Sequence, residues 1–334
     1  MGRRSRKSKR RVNSLFMAVL MSAVLLIVST YAWFSANREV EIRGITAKVE
    51  AAEGLQISLD GASWSSYVEV DEAKLTAVQT YNNFTWPSEL RPVSTTGQTD
   101  SGSIVFFDGD IDATGAILNN ANNALAANKY IVFDVYLKNS SSQDSDELLL
   151  NSQSSVAVGS TAGKIGQTGT GLEYCPRVGF ALYPNSVLFS ESQANIAAIG
   201  GEPTVSIWEP NYAQHITEVV RLDNRLANDT NSTFETLALK GKGSGTLNGV
   251  NGSTATDFME STHTVRTPGT VGNTPENLVD CTDGTTNLEI DGNKISKVTV
   301  YIWLEGQDPD CIDTASTGKY LDFQINLSKP AVTP

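Results

Sequence analysis

Apolar and polar residues alternate with a period of two over the most informative segments of the chain, the pattern of half-buried strands rather than of helices. Ile131, Phe133, Val135 and Leu137 fall on one side of such a segment, with Asp134 and Lys138 on the other. Val298, Val300, Ile302 and Leu304 repeat the pattern opposite Thr299, Tyr301 and Trp303. Near the C-terminus Leu321, Phe323, Ile325 and Leu327 alternate with Asp322, Gln324, Asn326 and Ser328, so one face of this segment requires a core. Weaker strands are predicted at 38–50, 55–59, 66–70, 103–107, 177–183 and 204–209, separated by clusters of Gly, Asn, Ser and Thr. In the first of these, Val40 and Ile42 share one parity while Ile45, Ala47 and Val49 take the other; a bulge at Gly44 would return them to a single face.

Helical periodicity is sparse. Ile117, Ala121 and Leu125 suggest a short amphipathic turn or two, and 217–227 another. The predicted class is therefore all-β: an antiparallel two-sheet sandwich of jelly-roll type with long loops and a few short helices. Residues 139–170 and 241–285 are rich in Ser, Thr, Gly and Asn with little periodicity and are expected to be long surface loops or insertions within one domain spanning 33–334. A second small domain within 190–285 is compatible with the pattern, although no linker marks it.

The N-terminus adds a compartment to this picture. Seven positive charges (Arg3, Arg4, Arg6, Lys7, Lys9, Arg10 and Arg11) precede an apolar run from Leu15 to about Phe34, and the next charge is Arg38. That layout is a basic n-region followed by an h-region. Thr30, Tyr31 and Ala32 place small residues where a signal peptidase reads them, which favours a cut between Ala32 and Trp33. The run also approaches the roughly 20 residues that span a bilayer as a helix. Residues 1–32 are thus a signal peptide or, uncleaved, a membrane anchor through 12–34, with the basic end in the cytoplasm. Either way the domain is exported, to the cell surface or beyond.

Charge narrows the partners. The 334-residue chain carries 25 Lys and Arg against 37 Asp and Glu. Removing residues 1–32 takes away seven of the basic residues and none of the acidic ones, leaving a formal charge of about −19. Such a surface repels phosphate backbones and lacks Lys/Arg clusters, so nucleic acid is excluded as an expected partner. Hydrophobic residues make up 40% of the chain, enough for a folded core. Only three cysteines occur, Cys175, Cys281 and Cys311, so at most one bridge can form. Cys281 with Cys311 is the candidate pair, and buried free thiols are the equal alternative.

The run Thr30, Tyr31, Ala32, Trp33, Phe34, Ser35 resembles the processing region of the TasA/camelysin family of Gram-positive bacteria, where the h-region ends in a Thr, an aromatic and Ala with an aromatic soon after the cut. A second run, Ile302, Trp303, Leu304, Glu305, Gly306, Gln307, Asp308, Pro309, Asp310, Cys311, is similar to a signature of uncharacterised exported proteins of Gram-positive anaerobes. The family resemblance implies a β-sandwich, export by a dedicated signal peptidase, and assembly into matrix fibres in which the mature N-terminal strand of one subunit completes a sheet of the next. It covers about forty residues specifically, and the stretches 139–170 and 241–285 have no counterpart in it. The physics of that assembly is legible in the residues themselves. A chain beginning at Trp33 would lead with Trp33 and Phe34 and continue through Val40 and Ile42, an extended segment able to add to an open sheet edge through main-chain hydrogen bonds. Each such contact is head-to-tail, does not close, and yields a filament. The alternative is that 38–50 pairs within its own domain and 33–37 is a frayed end.

Candidate chemistry is thin. His215 and His263 are the two histidines, and neither lies in an HExxH arrangement, so the zinc site and general base of a metalloprotease have no residues here. No phosphate loop, nucleophile elbow or Cys/His pair at recognisable spacing is present, and neither enzymatic activity nor a cofactor is expected. Asp108, Asp110 and Asp112 have alternate spacing, but Ala113 replaces the glycine and Asn119 the bidentate glutamate of a calcium loop. Glu305, Asp308, Asp310 and Asp313 crowd one loop and form a weak calcium candidate beside the reading of a solvated turn bent by Pro309. Trp64, Trp86 and Trp208 suggest either sugar stacking or core packing. Asn-x-Ser/Thr triplets such as Asn83 to Thr85 and Asn231 to Thr233 would matter only in a eukaryotic secretory route. The expectation is a structural subunit whose partner is itself, with a monomeric, tethered or secreted binding module acting through its long loops as the alternative.

Overall fold

The computed structural model describes residues 44–51, 54–93, 95, 97–112, 115–120, 129–211, 246–248, 264–266, 276–305 and 319–330. Thirteen strands build its two larger sheets and are numbered here in chain order. They are β1 (Gly44–Ala51), β2 (Leu55–Ser58), β3 (Tyr67–Val70), β4 (Pro92–Val93), β5 (Ile131–Asn139), β6 (Leu149–Leu150) and β7 (Ser155–Val158), followed by β8 (Pro176–Leu188), β9 (Thr204–Glu209), β10 (Thr264–Arg266), β11 (Glu276–Asn277), β12 (Lys294–Glu305) and β13 (Tyr320–Ser328). The protein is predominantly β with mostly antiparallel pairing, and its described helices include the short α1 (Glu72–Ala77) and α2 (Gln193–Ala197). Among the described residues no helix is long and apolar enough to cross a membrane. The apolar leader lies outside them.

The six-stranded sheet runs β11-β6-β13-β1-β3, with β7 also on β13. Its centre is the parallel pair of β1 and β13, in which Ile45, Ala47, Val49 and Ala51 stand opposite Leu321, Phe323, Ile325 and Leu327. Apolar meets apolar at every second position, and Lys48 and Glu50 meet Gln324 and Asn326 in between. A one-residue slip would move Val49 off the core face that it shares with Ile325, so the alternation fixes the register. The predicted bulge at Gly44 depends on residues 38–43, which lie outside the described residues.

The seven-stranded sheet runs β10-β9-β8-β12-β5-β2, and β4 pairs with the end of β12 where β5 has stopped. Phe133, Val135 and Leu137 of β5, Val298, Val300 and Ile302 of β12, and Val178 and Phe180 of β8 join Val49, Phe323 and Ile325 of the other sheet in one core cluster. Burying each such side chain contributes about 1.5–3 kcal/mol before conformational entropy is counted.

The opposite face of the seven-stranded sheet is covered as well, which the alternation of β12 did not predict. Tyr301 and Trp303, with Val205 and Ile207 of β9 in the same sheet, pack with Phe106 and Cys281, and the Phe106 and Trp303 rings stand edge to face at 5.2 Å between centroids. Further along, Tyr136 and Ile295 are covered by Ile196 and Ile199, delivered by α2 and the turn after it. Both helices are set by side-chain caps. Asp71 accepts from the Lys74 N–H and Ser192 from the Asn195 N–H, satisfying donors that the first turn leaves open.

Two expectations differ from the structure. The stretch 139–170, expected to be a loop insertion, contains β6 and β7, which line successive parts of β13, and the strand Ser145–Glu147, which pairs with Glu289–Asp291. These strands are two to four residues long, too short for periodicity to show. Ile117, expected in a helical turn, belongs to the strand Gly115–Asn120, which pairs antiparallel with Phe107–Asp112. Ala121, Leu125 and 217–227 lie outside the described residues, as does most of 241–285.

Candidate functional site

The assembly hypothesis turns on the first strand and the sheet edges. β1 fills an interior position of its sheet, hydrogen-bonded to β13 on one side and β3 on the other. The part of the predicted 38–50 strand from Gly44 onward therefore pairs within its own domain. The cleavage residues Ala32 and Trp33 and the donor candidates Trp33, Phe34, Val40 and Ile42 lie outside the described residues.

β3 ends the six-stranded sheet among the described residues. Its face carries a mixed signal. Val68 packs on the core, while Tyr67 is half exposed under the Lys48 ammonium, 4.7 Å from the ring centroid. Glu69 bonds Lys74 of α1 at 2.5 Å, and this hydrogen bond and charge hold its carboxyl below the ordinary range. The strand is only four residues long and flanked by charges, features that discourage casual edge pairing.

The other sequence candidates disperse. Cys281 is a fully buried free thiol whose pKa is pushed up to about 12, by burial first and by Asp280 next. Its expected partner Cys311 lies outside the described residues, and Cys175 is likewise buried. Of the calcium candidates only Glu305 is described: it ends β12, is buried, and accepts a hydrogen bond from Trp303 Nε1 at 3.1 Å. Asp308, Asp310 and Asp313 are outside, as are His215 and His263. Asp108, Asp110 and Asp112 fall within the strand Phe107–Asp112. Among the described residues no group of three or more His, Cys, Asp or Glu could hold a metal ion. Trp208 is fully buried in the core, and Trp86 packs against it.

Trp64 instead lies beside the surface. The Lys138 ammonium sits 5.6 Å from the Trp64 ring centroid and 4.8 Å from that of Phe189. Phe189 and its neighbour Leu188 are 38% and 57% exposed, an apolar spot at the end of β8. A separate open groove is polar, lined by Gln98, Thr99, Glu202, Asp280 and Thr282.

Pattern reading missed the buried ion pairs. Arg177 Nη2 lies 2.8 Å from Glu209 Oε1, and both side chains are buried. Lys297 Nζ lies 3.0 Å from Asp134 Oδ2 and Lys329 Nζ 3.5 Å from Asp146 Oδ2. Each pairs residues far apart in sequence, and none carries a local signature; only strand register brings them together. Comparison of the chain with protein-family models, curated proteins and solved structures returns no match.

Proposed function

We propose that the chain is an exported structural protein of the cell surface or matrix, a fibre subunit that assembles by N-terminal strand donation. In this reading the two packed sheets form a sandwich of jelly-roll type. The observation that carries it is the position of β1: Gly44–Ala51 sits between β13 and β3 inside its own sheet, so a donor segment has to come from ahead of it, where Trp33 to Ile42 lie outside the described residues. In this reading that segment extends a neighbouring subunit, and β3, which ends the sheet among the described residues, is the acceptor edge we assign. Each subunit gives one strand and receives one, so the assembly is head-to-tail and open. Its partners are further copies of itself and, during export, a signal peptidase. With an acidic surface it has no role with nucleic acid.

Deleting Trp33 to Val40 is expected to abolish filaments while the circular dichroism and thermal transition of the domain persist. Filaments that still form would show that this segment is not the donor. The exposed Phe189 and Leu188 beside Trp64 favour one second reading, a tethered or secreted binding module acting as a monomer. That reading expects a stable monomer in both the intact and the deleted protein.

A further inference from the structure

Of the three buried ion pairs named above, one has a side-chain carboxamide bonded to its carboxylate. Asn139 is the last residue of β5, Asp146 lies in the strand Ser145–Glu147, and Lys329 directly follows β13. All three side chains are buried. Asp146 Oδ2 accepts a hydrogen bond from Asn139 Nδ2 at 2.8 Å and stands 3.5 Å from Lys329 Nζ. An amine, a carboxamide and a carboxylate thus meet at one oxygen atom. The carboxamide is also held and polarised: Asn139 Oδ1 accepts the Ser141 backbone N–H at 3.1 Å, and Nδ2 donates to the Asp291 carbonyl at 3.2 Å.

The other two pairs lack this constellation. Arg177 carries a guanidinium, which does not deprotonate to a nucleophile. Around the Lys297–Asp134 pair the nearby amide of Asn82 is bonded to the backbone of Asp134, not to its carboxylate. A charge pair needs no carboxamide between its members, and burying one is costly unless the arrangement gains something more.

We propose that Lys329 and Asn139 join in an intramolecular isopeptide bond, with Asp146 moving the protons. Burial pushes the Asp146 carboxyl up, but hydrogen bonds from Asn139 and Ser141 and the Lys329 charge outweigh it and leave it lowered, so it starts as a carboxylate and a base. Asp146 takes one proton from the Lys329 ammonium, and the freed amine adds to Asn139 Cγ. As the new C–N bond forms, the carbonyl electron pair moves onto Oδ1, where the Ser141 N–H meets the developing charge. Asp146 returns its proton to Nδ2, the Cγ–Nδ2 bond breaks as the carbonyl re-forms, and the added nitrogen gives up its second proton through Asp146 to the departing ammonia. The ammonium of Lys329 and the carboxamide of Asn139 become a secondary amide and an ammonium ion; Asp146 ends as it began, and nothing is oxidised or reduced.

The bond would tie the end of β5 in the seven-stranded sheet to the residue after β13 in the other. A pull on the C-terminus would then load a covalent link before it reached the hydrogen bonds between β13 and β1. The bond forms within one chain and does not depend on the fibre reading, so each can fail without the other.

Mass spectrometry of the purified full-length chain, denatured and then digested, tests it. The expected result is a peptide in which Lys329 is joined to Asn139, and an intact chain lighter by one ammonia than its sequence requires. Lys329→Arg and Asp146→Ala should restore the full mass after correction for the substitution. If either variant fails to fold, the wild-type digest decides alone. Only linear peptides carrying Lys329 and Asn139, with an intact mass that retains the ammonia, would overturn the proposal.

Discussion

Lys297 Nζ lies 3.0 Å from Asp134 Oδ2 across the neighbouring strands β12 and β5, on the face of the seven-stranded sheet that turns away from the main core. Asp134 also accepts from Thr299 Oγ1 at 2.6 Å and from the Asn83 N–H at 3.2 Å, so its charge is met on three sides. Removing the lysine leaves a carboxylate buried among dipoles without a counter-charge. Lys297→Met is expected to cost about 3–5 kcal/mol in urea unfolding. Adding Asp134→Asn should recover much of that loss, because a neutral amide can still accept the Thr299 hydroxyl without carrying a charge. Equal stability of the single and double variants would show that the pair is not coupled.

Gly97 and Cys281 form a second tight relationship. Gly97 has a φ of +76°, and a Cβ added there would stand 2.1 Å from Cys281 Sγ. Gly97→Ala therefore combines backbone strain with overpacking and should lower stability by about 1–3 kcal/mol. Truncating the neighbour with Cys281→Ala should relieve the clash but not the strain, so a double-mutant cycle is expected to show favourable coupling with incomplete rescue. Strict additivity would contradict the contact.

Acid should destabilise the fold in a defined window. Asp283 is held to about 2 by the Thr286 hydroxyl first, and then by the backbone N–H groups of Thr286 and Thr285. A folded pKa below the unfolded one contributes stability that is complete above the ordinary carboxylate value of 3.8 and is lost as pH falls through about 2. Asp60 and Asp291 are lowered too and add in the same direction. Thermal midpoints measured from pH 6 to pH 2 should fall over the lower half of that range, and Asp283→Asn should flatten part of the fall. A midpoint that rises on acidification would contradict these turns.

The alternation of β13 was sufficient to place Leu321, Phe323, Ile325 and Leu327 in the core, because a half-buried strand writes its burial directly into its sequence. β12 was legible on one face only. Thr299, Tyr301 and Trp303 looked outward by parity, yet Trp303 is covered by Phe106 from a segment almost two hundred residues earlier in the chain. The available sign was that this face carries two aromatics and no acid before Glu305. α1 and α2 had readable caps in Asp71 and Ser192 but too few turns for a periodic stripe. The Lys329, Asn139 and Asp146 cluster had no local sign at all, since its members meet only after β5, β13 and Ser145–Glu147 have found their registers.

The proposed assembly by a strand freed through processing is tested most directly by the N-terminal sequence and hydrodynamic size of the protein recovered from the native cell surface. A chain that begins at Trp33 and migrates as a large or filamentous species is the expected result. An intact Met1 terminus in the membrane fraction, or a processed chain that remains monomeric, would contradict it.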